Sequence, residues 1–354
     1  AVGHNALASC TTGAQNVAVG ANALPASTTA GNNVAVGNES LQNCTTGQYN
    51  TAVGSLCLRA QTTANGNTAV GYNAMTSNTS GTQNVAFGTN ALDENTTASD
   101  ITAIGYEALA SNTTAGSNTA CGHRALMSCT TGSTNAAFGR QSLFANTTGI
   151  QNTACGTFAL DANTTGQNNT AVGYNALGSS TTAANCTAVG TDALRDNTAT
   201  SNTAVGEACL RACTSGDQNT GVGVNVALSL TTGSNNLLLG FEAGSSNSPT
   251  GAIGTGSNNV CLGNNDIGDI YCADTTISSS DRRDKTDITN FTHGLNWINQ
   301  MQPVTYRWDR RSWYLDDSDG DILSVTPDGS RKRQRIHLGL LAQDVLEIET
   351  ADGY

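Results

Sequence analysis

Three serines, Ser278, Ser279 and Ser280, run directly into Asp281-Arg282-Arg283-Asp284-Lys285. A serine hydroxyl is a weak nucleophile until a base takes its proton. A lysine is such a base once burial or neighbouring cations lower its pKa. Arg282 and Arg283 stand close to Lys285 in sequence, whereas Asp284 favours its ammonium form. The chemistry open to this stretch is attack of a serine on a carbonyl. Residue types alone leave the three serines as equal candidates, and a charged cap without chemistry as the alternative.

The rest of the chain is organised by a repeat of seventeen residues, clearest from Asn169 to Asn185 and filling residues 1–244. One glycine marks each copy, from Gly3, Gly20 and Gly37 through to Gly223 and Gly240, and every step is 17 except Gly190 to Gly206, which is 16. A fixed short period is the mark of a solenoid. The missing residue falls between Thr198 and Asn202, where a turn would tolerate it. Glycine, asparagine and paired threonine recur too often for a helix, and no apolar stripe runs at 3.6. Short strands between tight turns fit better. The expected architecture is mainly β: a trimeric β-solenoid, each 17-residue coil having three short straight sides, followed by a small α+β domain.

Each slot of the repeat has its own chemistry. The residue before the glycine is apolar (Val19, Phe87, Ile104, Cys121, Leu239), and the one before that is nearly always Ala. Three and four residues after the glycine come, as a rule, a small residue and then Leu, Met75 being a mild exception. Four residues before it, fourteen copies carry Asn twelve times (Asn16, Asn33, Asn50, Asn67, Asn84, Asn118, Asn135 and Asn152 among them), with Ile101 and Cys186 as the departures. An inward Asn at a bend satisfies backbone groups that the bend leaves unpaired, so these residues form a structural ladder. A second Asn slot lies three residues after the Leu (Asn78, Asn95, Asn112), with Cys10, Cys44, Cys129 and Cys213 as substitutes. Cysteine is small and tolerates burial. The next residue is Thr in all fourteen copies. Sequons such as Asn95-Thr96-Thr97 are therefore read as inward turn residues rather than glycosylation sites.

Composition narrows the classes. The chain of 354 residues is 12% charged and 5% aromatic, little aromatic content for a compact globule of this length but enough for a solenoid. Net charge is −12 and residues 1–244 contain no lysine, so nucleic acid is not an expected partner. No apolar run is long enough to span a membrane. Residue 1 falls inside a repeat, so sequence is expected to precede it. Of eleven cysteines, Cys10 and Cys44 share one slot two coils apart, as do Cys121 and Cys155. At ~4.8 Å per strand such pairs stand ~9.6 Å apart, beyond disulfide reach. Reduced structural cysteines are expected, with no metal and no cofactor. Glycan hydrolysis would need paired carboxylates in a cleft, and the densest acids, Asp93, Glu94 and Asp100, read as a solvated turn.

In Thr-Ala-Val-Gly the Ala and the Val point to opposite faces. One face fills the coil. The other stays apolar or small and is almost never charged, so it is expected to meet another subunit, with closed cyclic symmetry. From Leu237 the pattern degrades, Asn258–Gly263 forming a last imperfect rung, and residues 245–276 read as a capping rung and linker, with a short strand or two over Asp266–Thr276. Beyond residue 280 lie all three tryptophans and both lysines. There, Leu295–Met301 reads as a short helix and Val304–Trp308 as a strand. Acidic and Pro-Gly turns at Asp316–Asp321 and Thr326–Gly329 suggest a hairpin arm, and Leu338–Val345 leads into a helix.

Gly-x-Asn-Ala-Leu followed by Thr-Thr-Gly-x-x-Asn-Thr-Ala-Val-Gly resembles repeats of phage and cyanophage tail fibres. More distantly it is similar to the trimeric β-roll heads of autotransporter adhesins. Ser280–Ile288, then Gly294-Leu295, Pro303-Val304-x-Tyr306-x-Trp308 and His337-x-Gly339-x-x-Ala342-Gln343-Asp344-Val345 resemble the intramolecular chaperone of endosialidase tailspikes, over residues 277–354. That resemblance implies a trimerising domain that aids folding of the preceding β-structure, is released by self-cleavage at Ser280–Asp281, and continues into a longer C-terminal helix. It selects Ser280 as nucleophile and Lys285 as general base, with His337 as a possible accessory. Ser280 would attack its own carbonyl carbon and give an ester that water resolves, at most a single-turnover endopeptidase.

The expected protein is thus a homotrimeric virion fibre or spike segment, assembled in the host cytoplasm and extracellular afterwards. Its expected partners are other fibre or tail proteins and a host receptor or glycan, without membrane insertion. A bacterial adhesin stalk is the alternative. An ice-binding solenoid fits poorly, because adjacent threonines such as Thr11 and Thr12 point apart.

Overall fold

The computed structural model describes residues 1–267 together with residues 304–306 and 337–339. The chain divides into two units, Ala1–Tyr271 and Cys272–Tyr354.

In the first unit the three residues before each glycine from Gly20 to Gly240, and before Gly263, form a strand. Fifteen such strands, β1 (Val17–Val19) to β15 (Val260–Leu262), lie in one parallel sheet in sequence order. Residues of one slot sit on each other: Val17 on Val34, Ala18 on Ala35, Val19 on Val36. Ala18 is fully buried and its neighbours face outward. At ~4.8 Å per strand the fourteen steps make a column about 67 Å long. The expectation of a mainly β solenoid with 17-residue coils holds.

The expectation of three straight sides does not, since each coil has one. The cause is a set of left-handed residues that alternate with ordinary ones after the glycine, such as Asn22 (φ 52°) and Leu24 (φ 51°), with Asn32 (φ 58°) before the next strand. Such residues fold the path too sharply for a second strand. Coil-to-coil bonding nonetheless continues around the turns. The Asn22 amide donates to His4 O (2.8 Å), Leu24 to Ser40 O (2.9 Å) and Thr28 to Thr45 O (3.0 Å). Asn recurs two residues after the glycine because its short amide tolerates this conformation. The glycine itself has φ near 134° at Gly20, and a Cβ there would sit 2.5 Å from Gly37 O.

The interior holds one Leu per coil, from Leu24 to Leu194 fully buried, between stacked alanines. The Leu slot has a departure beyond Met75. Ala227 occupies it, and the volume returns three residues later, where Leu230 replaces the usual Asn and is fully buried. The short coil lies between β11 (Thr187–Val189) and β12 (Thr203–Val205), whose register is intact. Its adjustment is local: the Asn197 side chain donates to Ala199 O, two residues on, where Asn163 reaches Gly166 O, three residues on. The last coil is longer, running 23 residues from Leu237 to its partner Val260 in β15. Asp266 lies in a turn, and from residue 268 on the Asp266–Thr276 stretch read as a short strand or two lies outside the described residues.

In the second unit β16 (Val304–Tyr306) pairs antiparallel with β17 (His337–Gly339), Tyr306 opposite His337. The strand expected at Val304 is present. Leu338 and Gly339, at the start of the Leu338–Val345 stretch read as leading into a helix, lie in β17, and the rest of that stretch lies outside the described residues. The helix read at Leu295–Met301 and both turns of the arm lie outside the described residues.

Candidate functional site

The Asn ladder is where the interior chemistry concentrates. Each amide bridges two coils. Asn50 N donates to Asn33 Oδ1 (2.8 Å) while Asn33 Nδ2 donates to Gly47 O (2.8 Å). The pattern recurs at Asn16, Asn67, Asn84, Asn118, Asn135 and Asn152, which accept from the residue one coil on or donate to the turn carbonyl fourteen residues on. All are buried except half-buried Asn16. Ile101 interrupts the row. Its own amide is met by Asn84 Oδ1 (3.0 Å), but it offers no oxygen to Asn118.

The second slot explains the cysteines. Asn78 Nδ2 donates to Gly81 O, three residues on (3.0 Å). Cys129 Sγ makes the same bond to Gly132 O (3.1 Å), and Cys213 to Gly216 O (3.3 Å). A thiol there meets the carbonyl an amide would meet. Burial pushes the Cys129 thiol up to about 11, and Cys57 and Cys209 up to about 12. All ten cysteines of the described residues are free. Asn95 and Asn112 are fully buried, which removes them as glycan acceptors in the folded chain. Among the described residues no group of His, Cys, Asp and Glu could hold a metal ion, and no helix is long and apolar enough to cross a membrane. The threonine after this slot is committed too: Thr11 Oγ1 donates to Thr28 O at 2.9 Å, and so on up the column. A hydroxyl spent on the next coil is not free to order water.

Outside, the sheet carries one apolar row and beside it a row of Thr mixed with apolar residues, and the fold of one chain requires neither. The residue before the glycine is apolar throughout, and at Val19, Phe87, Ile104, Phe138, Val172, Val189, Val205 and Val222 it is more than a third exposed. On the same side, two residues earlier, stands Thr in nine of the fifteen strands, with exposed Val17, Val85, Leu237 and Val260 and half-buried Val34 and Ala136 in the others. No charged residue stands in either row from β1 to β15. Single exposed apolar side chains are ordinary, whereas a contiguous strip marks an interaction surface.

Sequence reasoning missed the rim beside these rows. Positions one and two after the glycine hold Tyr106, Glu107, His123, Arg124, Arg140, Phe158 and Tyr174 on successive coils, in two contact groups, one of Tyr106, Glu107, His123 and Arg124 and one of Arg140, Phe158 and Tyr174. The signal in the sequence is only a cluster: these slots vary along the whole column, with Tyr72 and Phe241 elsewhere, but aromatic and basic residues follow one another only from Tyr106 to Tyr174.

Ser280 and Lys285 lie outside the described residues, and His337 begins β17. A comparison with known families decides what this end of the chain is. Residues 280–354 match the family model of the chaperone of endosialidase. The endosialidase-chaperone match covers 75 residues (280 to 354) of 354 and leaves the solenoid outside it. No curated protein and no solved structure matches the chain. The chaperone segment and the coiled β-column together support a fibre-type structural protein that carries its own folding chaperone, as the two resemblances implied.

Proposed function

We propose that the protein is a segment of a homotrimeric virion tail fibre or spike. Three columns pack through the exposed uncharged rows, and the C-terminal chaperone segment ties the chains in register during folding in the host cytoplasm. The observation that carries this reading is the uncharged strip, about 67 Å long at ~4.8 Å per strand, on a chain that ends in the endosialidase-chaperone segment. A coil gains most of its stability from its neighbours, so a lone column nucleates slowly and exposes sticky edges on the way. A trimerising tie removes both difficulties. Removing the tie later leaves unfolding with a high barrier and no return path, which is kinetic stability. The finished fibre attaches to a receptor or glycan on the host surface.

The release step in this proposal is self-cleavage of Ser280–Asp281. Lys285 takes the Ser280 Oγ proton, and the oxygen attacks the carbonyl carbon. The C–N bond breaks, Asp281 leaves as a free amine carrying the proton, and water hydrolyses the ester. Native mass spectrometry tests the assembly: three times 36.1 kDa, or three times the mass less the released segment, is expected, and single chains would overturn it. A denaturing gel tests the cleavage. Wild type should give a second band the size of residues 281–354 that Ser280→Ala and Lys285→Ala lose, and identical single bands in all three would retire it.

A further inference from the structure

We infer that the rim formed by Tyr106, His123, Arg140, Phe158 and Tyr174 is a binding platform for a carboxylated polysaccharide. The inference rests on the attachment role proposed above and gives it a place and a ligand class.

The contacts are built rather than incidental. Tyr106 and His123 stack at 5.3 Å between centroids with 19° between planes. The Arg124 guanidinium lies 5.8 Å from the Tyr106 ring centre while its Nε holds Glu107 at 2.7 Å. One coil further, Arg140 lies 5.2 Å over the Phe158 ring, and Phe158 meets Tyr174 edge-on at 6.0 Å. Tyr106 is 42% exposed and Tyr174 52%. The rings hold each other in place while Tyr106 and Tyr174 stay partly open to solvent, so a ligand loses little side-chain freedom on binding.

The fold does not need them. The same slots hold Ala21, Asn38, Ser55, Thr89 and Thr191 in other coils, with the strands beside them unchanged. The ligand chemistry follows from the groups. Exposed aromatic faces take the C–H faces of pyranose rings. Gln141, Thr157 and Asn175, in the same two slots, offer hydroxyl-seeking polar groups between them. Arg124 already has a carboxylate, whereas Arg140 has none within ion-pair distance among the described residues. A guanidinium held over a ring and lacking an anion fits a planar carboxylate. Four coil steps separate Tyr106 from Tyr174, ~19 Å at ~4.8 Å each. That length suits a polymer rather than a single sugar.

The test is native affinity electrophoresis of the full chain in gels containing alginate, dextran or polyglutamate. Alginate should retard the wild type, and dextran and polyglutamate should not. Tyr174→Ala and Arg140→Ala should each weaken retardation by about fivefold or more, with Arg140→Lys in between, because the planar fork is lost but the charge stays. Unchanged circular dichroism would show that both variants fold. No retardation by alginate overturns the platform. So does equal retardation by dextran, which would remove the carboxylate, or by polyglutamate, which would remove the sugar. Wild-type retardation in both alanine variants also overturns it. Native mass of the same samples keeps the two readings apart. A single chain that binds supports the platform and sinks the trimer, and a trimer that does not bind sinks the platform alone.

Discussion

The middle and the end of each strand are one residue apart, and they obey different rules. In the middle, facing in, twelve successive strands carry Ala, from Ala18 to Ala204. At the end, facing out, stand Val, Phe, Ile, Cys and Leu in no fixed order. The inner position is fixed by size. Ala137 is fully buried, as is Leu143 of the same coil. The outer position is free in size but not in polarity. A surface facing only water would show the reverse, with polarity favoured and apolar groups scattered. The comparison teaches that one face is set by the packing of the single chain, and it supports the proposal that the other meets sister chains.

The sharpest way to break that contrast is to cut volume from each face in turn. Leu126→Ala, at a fully buried position, should destabilise by about 2–5 kcal/mol because the cavity cannot collapse between rigid coils. Val172→Ala, on the outer row, should stay within about 0.5 kcal/mol in a separated chain. Denaturant unfolding of both variants, followed by circular dichroism, reads the difference. Equal losses would mean that the outer row is packed within the chain itself.

Charge separates the faces next. Phe138→Glu with Val172→Glu should leave the coil spectrum intact, since both side chains are exposed, but bring the native mass down to one chain. Three carboxylates forced together across an axis without partners are strongly unfavourable. A trimer that survives both substitutions would place the interface elsewhere.

Much of the inner face was legible in the sequence, and for one reason. A repeat prints the same demand fifteen times, so the Gly, Asn, Thr and Leu columns could be read by alignment of the chain with itself. The Asn ladder and the Asn-to-Cys exchange followed from hydrogen-bonding chemistry alone. The shape of the coil did not follow. Left-handed φ at Leu24 or Leu41 runs against the preference of a branched residue. The coil-to-coil bonds hold it there, the Leu24 amide donating to Ser40 O and the Leu41 amide to Cys57 O. The rim at Tyr106–Tyr174 escaped because it departs from the consensus, and a search for the consensus averages departures away. The proposed chemistry at Ser280 was readable only as a class of reaction, and the choice among three serines came from family resemblance.

Thiol reactivity sharpens the contrast by a smaller effect. Cys57 and Cys209 face in, and burial raises their pKa to about 12. A raised thiol pKa means less thiolate at a given pH, so both should resist iodoacetamide at pH 8 and stay slow until far more alkaline conditions. Cys155 faces out and is exposed on the single column. It should label readily in any variant reduced to one chain and slowly in the assembled protein. Peptide mapping after a short pulse reads all three sites together, and fast labelling of Cys209 in folded protein would contradict the packed interior.

The smallest expected effect lies on the rim. Burial pushes the Glu107 carboxyl up, but the Tyr106 hydroxyl and the Arg124 guanidinium outweigh it, and the net shift is downward. A depressed carboxylate contributes stability above its unfolded pKa and loses it as pH falls through the folded value. Glu107→Gln should therefore lower the melting temperature slightly at neutral pH, and wild type and variant should converge as the pH falls below the ordinary carboxylate range. High salt should shrink the neutral-pH difference as well, because the Arg124 end of the pair is open to water. A difference that persisted in acid or in salt would mean that Glu107 acts through packing, and the rim would then belong with the inner face of the coil rather than with its surface.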